Sequence, residues 1–142
     1  MNKKQNNPSE WEIIDTYTRA QAIADGFQVE CPNAIRKEAG IKHPVFFTST
    51  LWEQYINPPN GTDGWGQSLD GRLWDTLFMF VFAVKTGKFE GNACNYQVIY
   101  LMPGKTPEDE PVHKEITLYA VIGPTDIDQP QPAITIMLPG ED

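Results

Sequence analysis

Cysteine, histidine and basic side chains are scarce in this 142-residue chain, and each shortage excludes a class of protein. The two cysteines, Cys31 and Cys94, are far apart and form no paired motif, so we expect both to be reduced thiols outside any disulfide framework. The two histidines, His43 and His113, are equally isolated. Because a zinc site needs several Cys or His ligands at short spacings, the sequence predicts no metal and no other cofactor.

Long apolar runs are also missing. The longest, 77–84, is far shorter than the roughly 20 residues that a transmembrane helix requires. The first eight residues contain two lysines but no apolar stretch follows them, which is unlike a secretory signal. We therefore expect a cytoplasmic protein without a membrane partner, folded as a single domain over residues 1–142, with residues 1–10 disordered.

Acidic residues outnumber basic ones by 19 to 11, which gives a net charge of −8. The excess is uneven, because residues 1–88 carry ten acids and nine bases whereas residues 89–142 carry nine acids and two bases. Nucleic-acid binding needs clustered Lys and Arg, so we expect no direct contact with nucleic acid. The acidic C-terminal third instead favours a basic protein surface as the partner.

Capping patterns and glycine stops predict several short helices in the first half of the chain. Thr18 and Gln21 have the spacing of a capping box before an alanine-rich segment that ends at Gly26. Similar signals predict helices over 33–40 and 50–57, and the segments 27–30 and 45–47 look extended. The Pro- and Gly-rich stretch 57–67 is predicted to be an exposed loop.

Ser68 begins the longest helical pattern, which Gly87 ends. Apolar residues cover most of its circumference and leave a narrow polar stripe that contains Arg72, Asp75 and Thr76. This distribution is typical of a central helix buried on most sides. The side chains expected to be nearly inaccessible are Trp74, Leu77, Phe78 and Val81.

Three extended segments follow, over 95–102, 112–122 and 133–138, and turn residues separate them. They predict an antiparallel meander, so the fold class is α+β: short helices and one long central helix packed on a three-stranded antiparallel C-terminal sheet. In a meander the first connecting loop and the chain end lie at the same edge. We therefore expect an acidic pole that binds the partner, formed by Glu108, Asp109, Glu110, Glu141 and Asp142.

Trp65 lies in a glycine-flanked loop, so it either folds back on the core or waits for a partner, and we include it among the partner-binding candidates. An alternative candidate is a ligand or enzyme cleft beside the long helix, with Arg19, Arg72 and Asp75 as its polar groups. The cysteines are interpreted as inert, and no catalytic residue is predicted.

Three blocks carry a resemblance to a known family: EIIDTYTRAQAIADGF at 12–27, GRLWD at 71–75 and ITIMLPGED at 134–142. Together they resemble an uncharacterised domain-of-unknown-function family of small acidic proteins encoded on plasmids, integrative elements and phages. The resemblance implies an accessory protein of a mobile genetic element and no catalytic residues. The expected function is a non-enzymatic binding protein that blocks a host nucleic-acid-processing defence complex, of anti-CRISPR or antirestriction type. The alternative is a small-ligand-binding protein or small enzyme.

Overall fold

The computed structural model describes residues 17–60, 62–106 and 108–141. The expected disorder of residues 1–10 and the candidate Asp142 lie outside these ranges. The elements, in chain order, are helix α1 (Arg19–Ala24), strand β1 (Gln28–Glu30), helix α2 (Asn33–Glu38), strand β2 (Val45–Thr48), helix α3 (Ser49–Leu51) with a π-helical extension (Trp52–Ile56), a 3₁₀ turn (Asp63–Trp65), helix α4 (Leu69–Lys85) and strands β3 (Ala93–Met102), β4 (Val112–Asp126) and β5 (Gln129–Met137).

The five strands form one sheet in the order β1-β2-β5-β4-β3. The predicted antiparallel pairing of β3, β4 and β5 and the α+β class are confirmed. The predicted sheet of three strands is too small, because β2 pairs parallel with β5 and β1 pairs antiparallel with β2. A short apolar run such as Val45–Phe47 identifies a buried segment but not its strand partner, which is why its place in the sheet was missed.

Helices α2, α3 and α4 cover one face of the sheet, and the core lies between them. Alternate residues of each strand point to this face, so Tyr96 and Leu118 lie opposite one another on β3 and β4. Phe80 of α4 packs edge-on against Tyr96, with ring centroids 5.9 Å apart. Leu77 and Phe47 are wholly buried in the same cluster. We call the opposite side of the sheet its outer face.

Helix α4 is the longest helix, as predicted, but it is not buried on most sides. Its inward face contains the polar residues Arg72 and Thr76, which are 2% and 0% exposed. Phe78 was expected to be inaccessible and is 52% exposed, and Phe82 is 51% exposed. The prediction was wrong because a polar side chain that finds hydrogen-bond partners can be buried, and the helix is then rotated away from its most apolar face.

Two of the predicted helix starts are confirmed in detail. The Thr18 hydroxyl accepts a hydrogen bond from the Gln21 backbone N–H, and the Gln21 side chain accepts one from the Thr18 N–H, which completes the capping box. Ser68 caps α4 by accepting from the Gly71 N–H. At α3 the cap is Thr48, two residues before the predicted helix start at position 50. Within the described residues, no helix combines the length and apolar character that spanning a bilayer requires.

Candidate functional site

The loop before α4 holds Trp65 against the domain instead of projecting it. Thr62 is wholly buried, and its hydroxyl donates a hydrogen bond to the Pro59 carbonyl at 2.7 Å. The Trp65 N–H donates to the Thr62 carbonyl, which closes one 3₁₀ turn, and Gly66 follows with φ +72°. A positive φ is readily adopted by glycine, so this residue allows the chain to turn sharply into α4. The indole of Trp65 is therefore half-buried on a fixed support.

The loop between β3 and β4 is also a built turn. The Asp109 carboxylate accepts a hydrogen bond from the Thr106 N–H at 3.0 Å, and the Asp109 N–H donates to the Thr106 carbonyl at 3.1 Å. Gly104 lies so close that a Cβ atom built on it would be 2.4 Å from the Cβ of Asp109. Glycine is therefore required at position 104 for the loop to close over itself. This closure presents Glu108 and Glu110 as exposed carboxylates at a defined place.

The two loops meet in one groove, which we call the Trp65 groove. Its volume is about 480 Å³, and it is lined by Asn60, Trp65, Pro103, Gly104, Lys105, Thr106 and Asp109. An aromatic ring, a lysine and a carboxylate thus share a single concave surface. The sequence indicated Trp65 and the acidic loop separately and did not predict that they are neighbours. The feature of the sequence that indicates this neighbourhood is the short connection 86–92. It makes α4 and β3 antiparallel and brings the start of α4 to the end of β3.

The acidic pole predicted from the strand order is divided in the structure. Strand β5 ends with Met137 opposite Tyr119, whereas the acidic loop leads into β4 at Val112. Tyr119 and Val112 are seven residues apart along β4, so the end of β5 and the acidic loop are separated by roughly 23 Å along the sheet. Glu141 instead accepts hydrogen bonds from the Thr48 hydroxyl and the Leu138 N–H, both at 2.8 Å. The structure therefore brings Asp109 into the same groove as Trp65, leaves Glu108 and Glu110 exposed on either side of Asp109 in the chain, and places Glu141 elsewhere.

Arg19 lies on the outer face of the sheet, where it attaches α1. Its guanidinium stacks 4.0 Å over the Phe46 ring and donates to the Thr125 carbonyl, the Gln28 side chain and the Thr135 hydroxyl. Burial lowers the pKa of Arg19, and the Asp126 carboxylate opposes that change. With its donors used by the protein itself, Arg19 has the environment of a structural side chain.

Arg72 lies on the other side of the sheet and connects three segments around the inward face of α4. It donates to the Tyr55 carbonyl at 2.7 Å, to the Gln67 side chain at 3.0 Å and to the Leu101 carbonyl. The Thr76 and Tyr100 hydroxyls hydrogen-bond to one another at 2.6 Å in the same region. Burial raises the pKa of Tyr100 well above its usual range, so the phenol stays protonated. These contacts explain how polar groups occupy the buried face of α4.

The alternative ligand site of Arg19, Arg72 and Asp75 is not assembled, because the two arginines lie on opposite faces of the sheet. Asp75 lines a separate groove between α4 and the edge of β3. Burial raises the pKa of Asp75, and the Arg72 guanidinium partly offsets this. Cys31 and Cys94 are buried thiols, and burial raises the pKa of Cys31 to about 11. A high thiol pKa disfavours the nucleophilic thiolate at neutral pH.

The family of unknown function DUF6573 matches residues 5–142. The chain belongs to DUF6573. This confirms the resemblance to an uncharacterised family, whereas no curated protein and no solved structure is significantly similar to the chain. Because the family has no assigned function, membership identifies no binding residue, and the surfaces of this DUF6573 member are the guide to its role.

Proposed function

We propose that this protein is a non-enzymatic binding protein that docks the Trp65 groove and the carboxylates beside it onto a basic protein surface. The observation that carries the proposal is that Trp65 and Asp109 line the same groove. Aromatic side chains with partly exposed rings supply binding energy at interfaces, and acidic side chains around them select a basic partner. The two fixed loops present this combination without a large rearrangement.

In this proposal the acidic side chains and the indole ring of Trp65 contribute to different steps of binding. Exposed Glu108 and Glu110 create a local negative field that accelerates the encounter with a basic surface. Trp65 then slows dissociation, because its ring loses the remaining contact with water only when a partner covers it. The uneven charge of the chain supports the same polarity, since residues 89–142 carry nine acids against two bases.

The partner that fits best is a protein whose basic surface ordinarily binds DNA or RNA. Such surfaces are rich in Lys and Arg, so an acidic protein competes directly with the nucleic acid. The concrete form of the proposal is an inhibitor carried by a plasmid, integrative element or phage that blocks a host defence complex of the CRISPR or restriction type. No enzymatic step by this chain is needed for that role.

The test is affinity capture of the tagged protein from a host that carries defence systems, with identification of the captured proteins. The informative variant is the double substitution Glu108→Lys and Glu110→Lys, which spares Asp109 because that carboxylate holds the loop turn. The matched control is Glu38→Lys with Asp128→Lys, which changes the net charge equally at exposed positions in α2 and in the turn between β4 and β5. We expect the loop variant to lose the partner and the control to retain it.

Two further arms separate the proposal from unspecific capture. Excess DNA or RNA should release the captured partner from the tagged protein, because the nucleic acid and the tagged protein compete for the same basic surface of the partner. Trp65→Ala should weaken binding by at least about 2 kcal/mol, or roughly 30-fold, in a variant that circular dichroism shows to be folded at the temperature of the binding measurement. Equal capture by the wild type, the loop variant and the control would remove the proposal.

A further inference from the structure

Strand β3 forms one edge of the sheet, and its sequence lacks the features that usually protect an edge. Proteins cover or interrupt edge strands with charges, proline or very short strand length, because unpaired backbone groups attract another strand. The ten residues of β3, ACNYQVIYLM, contain no charged residue and no proline. The other edge strand, β1, has three residues and ends with Glu30. The long uncharged edge of β3 is therefore suited to pairing.

The hydrogen bonds at the two ends of β3 define which backbone groups point outward. The Ile122 N–H donates to the Asn92 carbonyl, so even-numbered residues of β3 bond to β4 and odd-numbered ones point away from it. Ala93 is already paired on that side with Glu90. At the other end Arg72 donates to the Leu101 carbonyl. Among the described residues, this leaves the backbone groups of Asn95, Gln97 and Ile99 without partners at the edge that faces away from β4. These three residues are arranged symmetrically about Gln97.

An apolar groove runs beside this segment. Its volume is about 520 Å³, and it lies between the outward face of α4 and the edge of β3. Phe78 and Phe82 line it from the helix, and Ile99, which is 56% exposed, lines it from the strand. An added strand would cover these side chains while pairing with the backbone, as in β-strand addition.

The charges along the groove change sign from one end to the other. Lys88 lies near Cys94 at the beginning of β3 and lowers the pKa of that thiol against the effect of burial. Asp75 and Glu115 line the opposite end, where Glu115 is the cross-strand partner of Ile99. A second copy laid antiparallel about Gln97 places its Lys88 beside the first copy's Asp75 and Glu115, and the reverse. The groove is therefore electrostatically complementary to itself.

We propose that two copies of this chain pair β3 to β3 in antiparallel orientation, with a two-fold axis at Gln97, to form one continuous ten-stranded sheet. In this register Gln97 faces Gln97 of the second copy, and Asn95 faces Ile99. The pairing uses the free backbone groups of Asn95, Gln97 and Ile99. It ends at Ala93 and Leu101, because Glu90 and Arg72 already bond to the backbone there. Phe78 and Phe82 of both copies then meet across the axis.

The proposed dimer also tolerates the negative charge of each copy. Antiparallel pairing sends the two acidic loops to opposite ends of the joined sheet. Met102 is five residues beyond Gln97, so the two loops are separated by roughly 34 Å along the strands. Exposed charges are screened over about 8 Å at physiological ionic strength. Sedimentation and hydrogen exchange are measured on the chain alone, so the dimer is tested independently of the proposed partner binding.

The first test is sedimentation velocity of the full chain between about 1 μM and 1 mM, where dimers of ordinary affinity dissociate. We expect a concentration-dependent dimer. Gln97→Lys places two lysines directly opposite each other at the axis and should weaken dimerisation at least about tenfold. Thr117→Lys is the matched control, because Thr117 is the exposed cross-strand partner of Gln97 one strand away from the edge. It should change the dimer affinity by less than about twofold.

The second test examines orientation by charge exchange. Lys88→Glu puts three carboxylates together in the proposed dimer and should weaken it, and so should Glu115→Lys. The double variant has an attractive pair between positions 88 and 115 but keeps a repulsion from Asp75, so it should bind more weakly than the wild type and recover part of the affinity that Lys88→Glu loses. Such recovery is not expected from a parallel arrangement or from an interface elsewhere on the surface.

Hydrogen exchange gives a readout that does not depend on variants. The amides of Asn95, Gln97 and Ile99 should become protected as the concentration rises. A monomer up to about 1 mM overturns the proposal. Protection of these amides that is independent of concentration also overturns it, because the edge would then be covered within one chain. A dimer that Gln97→Lys leaves intact would assign self-association to another surface.

Discussion

Leu77 and Phe78 are neighbours in α4, yet Leu77 is fully buried and Phe78 is 52% exposed. The inward face of the helix combines Leu77 with two buried polar side chains, Arg72 and Thr76. The outward face carries Phe78 and Phe82. The apolar pattern of a helix therefore does not by itself identify its buried side when polar residues find hydrogen-bond partners inside.

The same contrast appears at the two edges of the sheet. Strand β1 is short and carries a charge, whereas β3 is long and uncharged and lies beside the exposed aromatic side chains of α4. An exposed aromatic stripe next to an unpaired strand is expected at an interaction surface rather than at a merely solvated one. We therefore expect the inward face of α4 to stabilise the fold and its outward face to serve association.

The largest effect is expected for Leu77→Ala. This change leaves a cavity in the core and should lower the free energy of unfolding by about 3 to 5 kcal/mol. Urea unfolding followed by circular dichroism measures it, provided the protein concentration is low enough to keep the chain monomeric. A loss below about 1 kcal/mol would contradict the assignment of the inward face.

Arg72→Met should rank second, with a loss of about 2 to 4 kcal/mol. The substitution keeps much of the apolar length but leaves the Tyr55 and Leu101 carbonyls without the guanidinium donor. Arg72→Lys is the informative companion, since it keeps the charge but not the forked geometry. Unfolding of both variants by urea should show lysine recovering part of the loss. A fully stable Arg72→Met protein would mean that water satisfies these carbonyls.

Phe78→Ala should cost less than about 1 kcal/mol of stability in the monomer, because its ring is half in water already. Its effect should appear instead in self-association, where the ring meets the second copy. Comparing urea midpoints with sedimentation of the same variant separates the two contributions. A stability loss as large as that of Leu77→Ala would show that the two faces of α4 are not different in kind.

The smallest effect concerns the outer face of the sheet where α1 covers it. Asp126 accepts hydrogen bonds from the backbone N–H groups of Ile127, Ala20 and Arg19, and these contacts lower its pKa. A carboxylate whose pKa is lowered by folding stabilises the protein above its unfolded pKa of about 3.9, and the contribution disappears as the pH falls through the folded value.

Asp126→Asn should therefore destabilise the protein slightly at neutral pH, and the difference from the wild type should shrink below about pH 4. Urea unfolding over a series of pH values measures this. A difference that stays constant down to acid pH would indicate that the negative charge of Asp126 has no role in holding α1.

Local signals in the sequence located much of the fold. Thr18, Gln21 and Ser68 define helix starts by hydrogen bonds within four residues, so their positions can be recognised without tertiary information. The pairing of β2 with β5 joins residues that are nearly ninety positions apart, and no local pattern encodes it. The inward burial of Arg72 likewise depends on carbonyls from two other segments.

The candidate site was predicted in its residues but not in its arrangement. Trp65 and the acidic loop are unusual enough in sequence to be noticed, because one is an aromatic residue between glycines and the other is a run of three acids. Their contact depends on how α4 lies along β3. The separation of Glu141 from the acidic loop depends on β5 ending opposite Tyr119, and strand lengths are among the features that local patterns define least well.

The proposed function rests on the acidic loop and Trp65 acting on one basic surface, and the salt dependence of association tests this most directly. The rate constant for binding the captured partner should be measured at several ionic strengths for the wild type and for the protein with Glu108→Lys and Glu110→Lys. The wild-type rate should fall steeply as salt is added, whereas the variant should associate slowly with little salt dependence, because its attractive field has been removed. Identical rates and identical salt slopes for the two proteins would contradict the account.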